Sequence, residues 1–190
     1  FNKYLGIKEF HCFEASPKNF NILSNKLMKF RYKDICYLNN FGVGQRNYET
    51  FINQTKESSS STINNLNLNS NYFLKKLKIL NITDIKNYIK KVPIKIISLD
   101  YYIEKNDIQS IDILKIDAEG FEFEVLKGLK KNFHRVKFIY FEHHYNDMIK
   151  KNYSFSDIHD LLKNFGFIKR LKSRMPFRKS FEYIYQNLSK

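Results

Sequence analysis

Along the chain, short runs of strand character alternate with stretches of helical period. Residues 7–14, "IKEFHCFE", alternate apolar and polar side chains and end in an acid. The stretch that follows, "SPKNFNILSNKLMKF", places Ser16 as an N-cap and Pro17 at the first helical position, and Phe20, Leu23 and Leu27 share one helical face. Residues 35–44, "ICYLNNFGVG", read as another strand broken by Gly42 and Gly44, and "VPIKIISLDYYI" (92–103) continues the series. The segment "SIDILKIDAEGFEFEVLKGLKK" (110–131) changes character midway, a buried strand up to Ile116 and an amphipathic helix after Gly120. "VKFIYFEHH" (136–144) is a further strand, and a helix is predicted over about 154–165, with Ser154 or Ser156 as N-cap and Gly166 past its end. The tail "FEYIYQNL" alternates as a last strand would.

Strands that alternate with helices, several of them almost continuously apolar, predict an α/β fold with a largely parallel sheet covered on both faces. The 190 residues suit one core, so a single domain over 1–190 is expected. Residues 53–71, rich in Ser and Asn, interrupt the pattern without ending it, and a flexible loop over about 53–75 is expected inside the domain.

Composition changes this picture little. With 33 basic and 19 acidic residues the formal charge is +14, which raises nucleic acid or an anionic membrane as partners. The lysines are scattered in ones and twos among Asn, Ile, Phe and Tyr, which favours a solvated, compositionally biased surface; a basic protein that binds or modifies nucleic acid remains the alternative. No apolar run is long enough to span a membrane, and no secretory signal opens the chain. Cys12 and Cys36 form neither a metal-binding spacing nor a disulfide framework, so a reducing, cytoplasmic setting is the default.

The candidate chemistry lies at strand ends. In an open α/β sheet, ligands bind outside the carboxyl ends of the strands. One strand ends at Glu14, another at Asp117 and Glu119, and a third at Glu142, His143 and His144. Glu14 could equally favour the helix after it, and Asp117 and Glu119 could cap the helix that Gly120 admits. The two acids with Glu142 give only a weak signal for a hard cation, and no metal is expected. No phosphate-binding GxxxxGK[ST] loop, GxSxG elbow or HExxH pair occurs.

Taken together, "FEASPKNFNILSNKL" (13–27), "NNFGVGQ" (39–45), the serine run 58–61, "ISLDYYI" (97–103), "ILKIDAEGFEFEVLKG" (113–128) and "IYFEHH" (139–144) resemble the FkbM-type family of S-adenosylmethionine-dependent methyltransferases, in the family's order and over most of the chain. The resemblance implies a class I, Rossmann-like methyltransferase sheet, S-adenosylmethionine as donor, and O-methylation of a sugar or other small molecule. It implies Glu14 as the ribose-binding acid, Asn40 and Gly42 near the adenine, and Asp117, Glu119 and Gly120 at the junction of cofactor and acceptor. Glu142 and His143 would close the same edge, with Glu119 and Glu142 toward the acceptor; Asp117, Glu119 and His143 are the candidate bases, Asp117 favoured for positioning and His143 as the base. Ala15 stands where the family has Pro, Gly42 where Ala is common, and Gln45 where an acid is common. The family's first strand, with its glycine-rich turn, has no counterpart after Phe1, so the domain is expected to be N-terminally incomplete. A non-catalytic module of the same fold therefore stands as a further alternative.

Overall fold

The computed structural model describes residues 6–31, 33–57, 60–175 and 179–189. Strand β1 (Phe10–Phe13) leads into helix α1 (Pro17–Leu27), where the Ser16 hydroxyl accepts the Asn19 N–H at 3.3 Å and Pro17 opens the first turn. β1 pairs in parallel with β2 (Cys36–Asn39), Phe10 opposite Cys36 and Phe13 opposite Asn39. The run read as one strand over 35–44 divides after Asn39, and β3 (Gly42–Val43) joins a different sheet.

That second sheet has the order β3–β5–β4, with β4 (Tyr48–Thr55) antiparallel to β5 (Ile89–Ile97) from Tyr48 opposite Ile96 to Thr55 opposite Ile89. Between them lie α2 (Asn71–Ile79) and α3 (Ile85–Tyr88). The 92–103 stretch changes from strand to helix at Ser98, whose hydroxyl accepts the Tyr101 N–H and starts α4 (Leu99–Lys105).

The third sheet holds β6 (Ile111–Ile116), β7 (Val136–His144), β8 (Phe167–Arg174) and β9 (Ser180–Asn187) in the order β6–β7–β9–β8. β6 and β7 are parallel, as expected, whereas β9 runs antiparallel to both β7 and β8. β8 and β9 are too close in sequence for the crossover a parallel pair requires, which makes their antiparallel pairing the expected one. The outer strand β8 carries Lys169, Arg170, Lys172 and Arg174 in exposed positions, a run of like charges that opposes pairing with another chain's edge.

Helices α4, α5 (Glu122–Lys127) and α6 (Phe155–Asn164) bury one face of this sheet. Leu126, Leu129, Val136, Ile139, Ile158 and Leu162 are fully shielded there, each such side chain contributing about 1.5–3 kcal/mol. The predicted helix near 154–165 begins with a reciprocal capping box between Ser154 and Asp157. The opposite face is more open, with Ile113 56% exposed on β6. No helix among the described residues is long and apolar enough to cross a membrane.

Candidate active site

The turn between β6 and α5 is unusual in its backbone. Glu119 has φ 46° and Gly120 φ 89°. A left-handed conformation costs an L-residue about 1–2 kcal/mol, so Glu119 needs external support. That support comes from side chains. Thr62 Oγ1 donates to the Glu119 carbonyl at 2.7 Å, Asn64 Nδ2 donates to the Gly120 carbonyl at 2.5 Å, and the Gly120 N–H donates to Glu122 Oε1 at 2.9 Å. A Cβ on Gly120 would lie 2.7 Å from Ile149 Cγ2, so both the turn and the packing require glycine here.

The turn brings Glu119 to the end of β7. Its Oε2 lies 3.3 Å from His144 Nε2, and His144 Nδ1 lies 3.6 Å from Glu142 Oε1. The imidazole therefore sits between two carboxylates. Glu142 and His144, two apart on the strand, share a face; His143 projects from the other face and is ringed by Tyr145, Tyr153 and Phe155. Burial, then the nearby charges of Lys151 and His144, push His143 down to about 3, so it stays neutral. The sequence pointed to His143 as the base; the structure sets His143 among aromatic rings on the other face and brings His144, the next residue, between Glu119 and Glu142.

Burial is the main reason the Glu119 carboxyl is pushed up to about 8, with Asp117, Glu142 and Glu122 adding like charge. Burial likewise draws His144 below the ordinary imidazole range, against the pull of Glu122 and Glu142. Asp117 is more exposed and pairs with Lys115 at 3.5 Å. No group of three or more His, Cys, Asp or Glu among the described residues is arranged to hold a metal ion.

Glu14, Asn40 and Gly42 form a second group at the ends of β1 and β2. Glu14 Oε1 accepts the Ser16 N–H at 2.8 Å, and Asn40 Nδ2 donates to the Glu14 carbonyl at 2.9 Å. Burial raises the Glu14 carboxyl. A Cβ on Gly42 would meet Ile96 Cδ1 at 2.7 Å and Ala15 Cβ at 3.2 Å, so the small residues at 15 and 42 fit one another. No hydrogen bond or ion pair joins this group to the Glu119 group among the described residues. They are connected through backbone packing, because a Cβ on Gly128, just past α5, would lie 2.0 Å from the Gly44 carbonyl oxygen.

Within 53–75, expected as a loop, Asn53–Thr55 complete β4 and residues 71–75 open α2. Of the serine run, Ser58 and Ser59 lie outside the described residues. The segment beyond is tied down: Asn53 bridges Thr62, Leu66 bridges Ile149, and the Asn67 N–H donates to the Met148 carbonyl at 2.8 Å. Sequence reasoning singled out neither Thr62 nor Asn64, because their partners are backbone carbonyls more than fifty residues away and leave no local pattern.

An α/β chain whose acids gather at the carboxyl ends of neighbouring parallel strands has the arrangement that open α/β sheets use at their ligand edge. The methyltransferase FkbM domain family matches residues 1–169, and the chain belongs to that family. The crystal structure of the methyltransferase FkbM from Methylobacillus flagellatus KT has a similar fold, with a TM-score of 0.55 and 13% identity over 94% of this chain and 36% of that one. The chain thus spans 36% of the length of that protein. Among curated proteins no match was found.

Proposed function

We propose that the chain is the catalytic part of an S-adenosylmethionine-dependent methyltransferase that O-methylates a sugar or other small molecule. The observation that carries this reading is the Glu119–His144–Glu142 array at the carboxyl edge of β6 and β7. Family membership supplies the donor class.

The residues fit such a donor. Glu14 offers a carboxylate at a strand end for ribose hydroxyls, and the acids Asp117 and Glu142 at the same edge would favour a cationic donor. Bound there, the donor supplies an electrophilic methyl group. The chain's own residues orient the acceptor and take its hydroxyl proton. Glu119 is the more exposed member of its pair and would take the acceptor's proton; His144 stands behind it, and Glu142 favours positive charge on the imidazole. Beside the turn, a cleft of about 470 Å³ is lined by Tyr48, Asn64, Phe121, Glu124 and Lys150. Rings with amide and charged groups suit a polyhydroxylated acceptor.

The donor assignment is tested with Glu14→Ala. Because Glu14 also holds the start of α1, the substitution is expected to cost about 1 kcal/mol of stability. If it also binds ribose, S-adenosylmethionine affinity should fall by about 1–3 kcal/mol, the cost of unpaired hydroxyls. Calorimetry that finds the stability loss with unchanged affinity would leave Glu14 a helix-terminus residue only.

A further inference from the structure

Glu122 is a carboxylic acid with 1% exposure in the middle of the site, and the reaction scheme gives it no part. Its Oε1 accepts the Gly120 N–H at 2.9 Å, and its Oε2 accepts the Tyr153 hydroxyl. Lys151 is the nearby cation. Its ammonium donates to the carbonyl of His144 and lies 5.7 Å from the centre of the Tyr153 ring. Burial draws Lys151 below its ordinary range, and the charge of Glu122 opposes that shift. A buried acid and a half-buried base are costly to keep unless each has partners. Here the partners are the two backbones that carry the reacting side chains: Gly120, next to Glu119, and His144 itself.

We infer that the buried Glu122 and the half-buried Lys151 form a charged brace that positions the Glu119–His144 pair from both sides, with Tyr153 fixing the acid. Both are positioning residues, since neither faces the acceptor. The brace rests on the reading of Glu119 and His144 as the proton-accepting pair, but it can be tested without turnover. A capping role for Glu122 alone would satisfy the Gly120 N–H and leave the imidazole tautomer of His144 unaffected. The brace makes His144 respond to both charges.

The groups around His144 are Glu119 from the turn, Asp117 from the end of β6, Glu142 and His143 from β7, Glu122 from α5 and Lys151 from the segment before α6. Glu122 favours its charged form and Lys151 disfavours it. The experiment is histidine NMR of the whole chain across pH, on wild type, Glu122→Gln, Lys151→Met and the double variant. The His144 midpoint is expected to fall by about one unit in Glu122→Gln and to rise by a similar amount in Lys151→Met. In the double variant, which buries no unpaired charge, it should return close to the wild-type value. Nitrogen shifts should show one imidazole tautomer in wild type and a mixture in Glu122→Gln, as the turn loosens its hold on Glu119. If Glu122→Gln does not fold, the sign of the Lys151→Met shift decides. Midpoints and tautomer that stay at wild-type values in the folded variants overturn the brace. The expected displacements of the His144 midpoint alongside full turnover in a Glu119 amide variant would instead overturn the proton-accepting pair and leave the brace standing.

Discussion

Glu119→Gln is expected to lower kcat tenfold or more without lowering the melting temperature. The amide keeps the size of the side chain and an oxygen to face His144, but it cannot accept the acceptor's proton. A tenfold loss corresponds to about 1.36 kcal/mol of transition-state stabilisation, a modest demand for removing a positioned base. The pH dependence gives an independent check. Because burial and neighbouring acids hold the carboxyl near about 8, the reactive carboxylate accumulates as pH rises through that value. In wild type, kcat/KM for S-adenosylmethionine should therefore climb across this range, and in the variant that limb should vanish. With the cationic donor bound, the carboxylate is favoured and the corresponding limb in kcat should lie at lower pH.

The same carboxyl makes a signed prediction for stability. Its folded value lies above its ordinary 4.5, so the native state holds the proton more tightly than the unfolded chain. The contribution is fully present below about 4.5 and is lost as pH rises through about 8. Glutamine has no proton to lose. The melting temperature of Glu119→Gln relative to wild type should therefore improve steadily between about pH 5 and about pH 9. Wild-type turnover in the variant would reduce Glu119 to a turn residue. Asp117→Asn should act in the same direction but less, because Asp117 is half-exposed and paired with Lys115.

The second large effect is on the fold. Gly128→Ala is expected to destabilise the protein by about 3 kcal/mol, at the upper end of overpacking costs, or roughly 6–12 °C in melting temperature for a domain of this size. Helix propensity alone gives the opposite sign, since Ala is normally favoured over Gly by about 0.5–1 kcal/mol. Gly128 has φ −78°, so its backbone accepts any residue. The obstacle is the Gly44 carbonyl oxygen 2.0 Å from the added methyl. Neither backbone can easily yield. The Gly128 carbonyl accepts the Asp100 N–H at 2.8 Å, and the Gly44 N–H donates to the Ile97 carbonyl at 3.1 Å. Thermal denaturation distinguishes the two signs, and a variant as stable as wild type would mean that the contact relaxes. The contact also joins the end of the motif helix to the loop beyond Asn40 and Gly42, so S-adenosylmethionine affinity should weaken alongside stability.

The elements legible in the sequence are those written in local signals. Ser16 and Pro17 mark the start of α1, Ser154 and Asp157 that of α6, and the change of period around Asp117 marks the passage from β6 to α5. Pairing over distance was not legible. The basic run of β8 shows no clean alternation because that edge strand is exposed almost throughout. β4 depends on a partner beyond the intervening α2 and α3. In the site, the sequence pointed to Asp117, Glu119 and Glu142, and the fold gathers them. It pointed to His143, and the fold brings His144. Period-two alternation from Glu142 contained that information, since residues two apart on a strand share a face. Nothing local in the sequence marks Glu122, and only its enclosure by Gly120 and Tyr153 sets it apart.

The central claim is best tested by incubating the protein with S-adenosylmethionine labelled in its methyl group and an extract containing saccharides, small metabolites and nucleic acid, then separating the fractions. Label is expected in the saccharide or small-molecule fraction with wild type, reduced at least tenfold with Glu119→Gln. Label confined to nucleic acid, or equal incorporation by the two proteins, would contradict it.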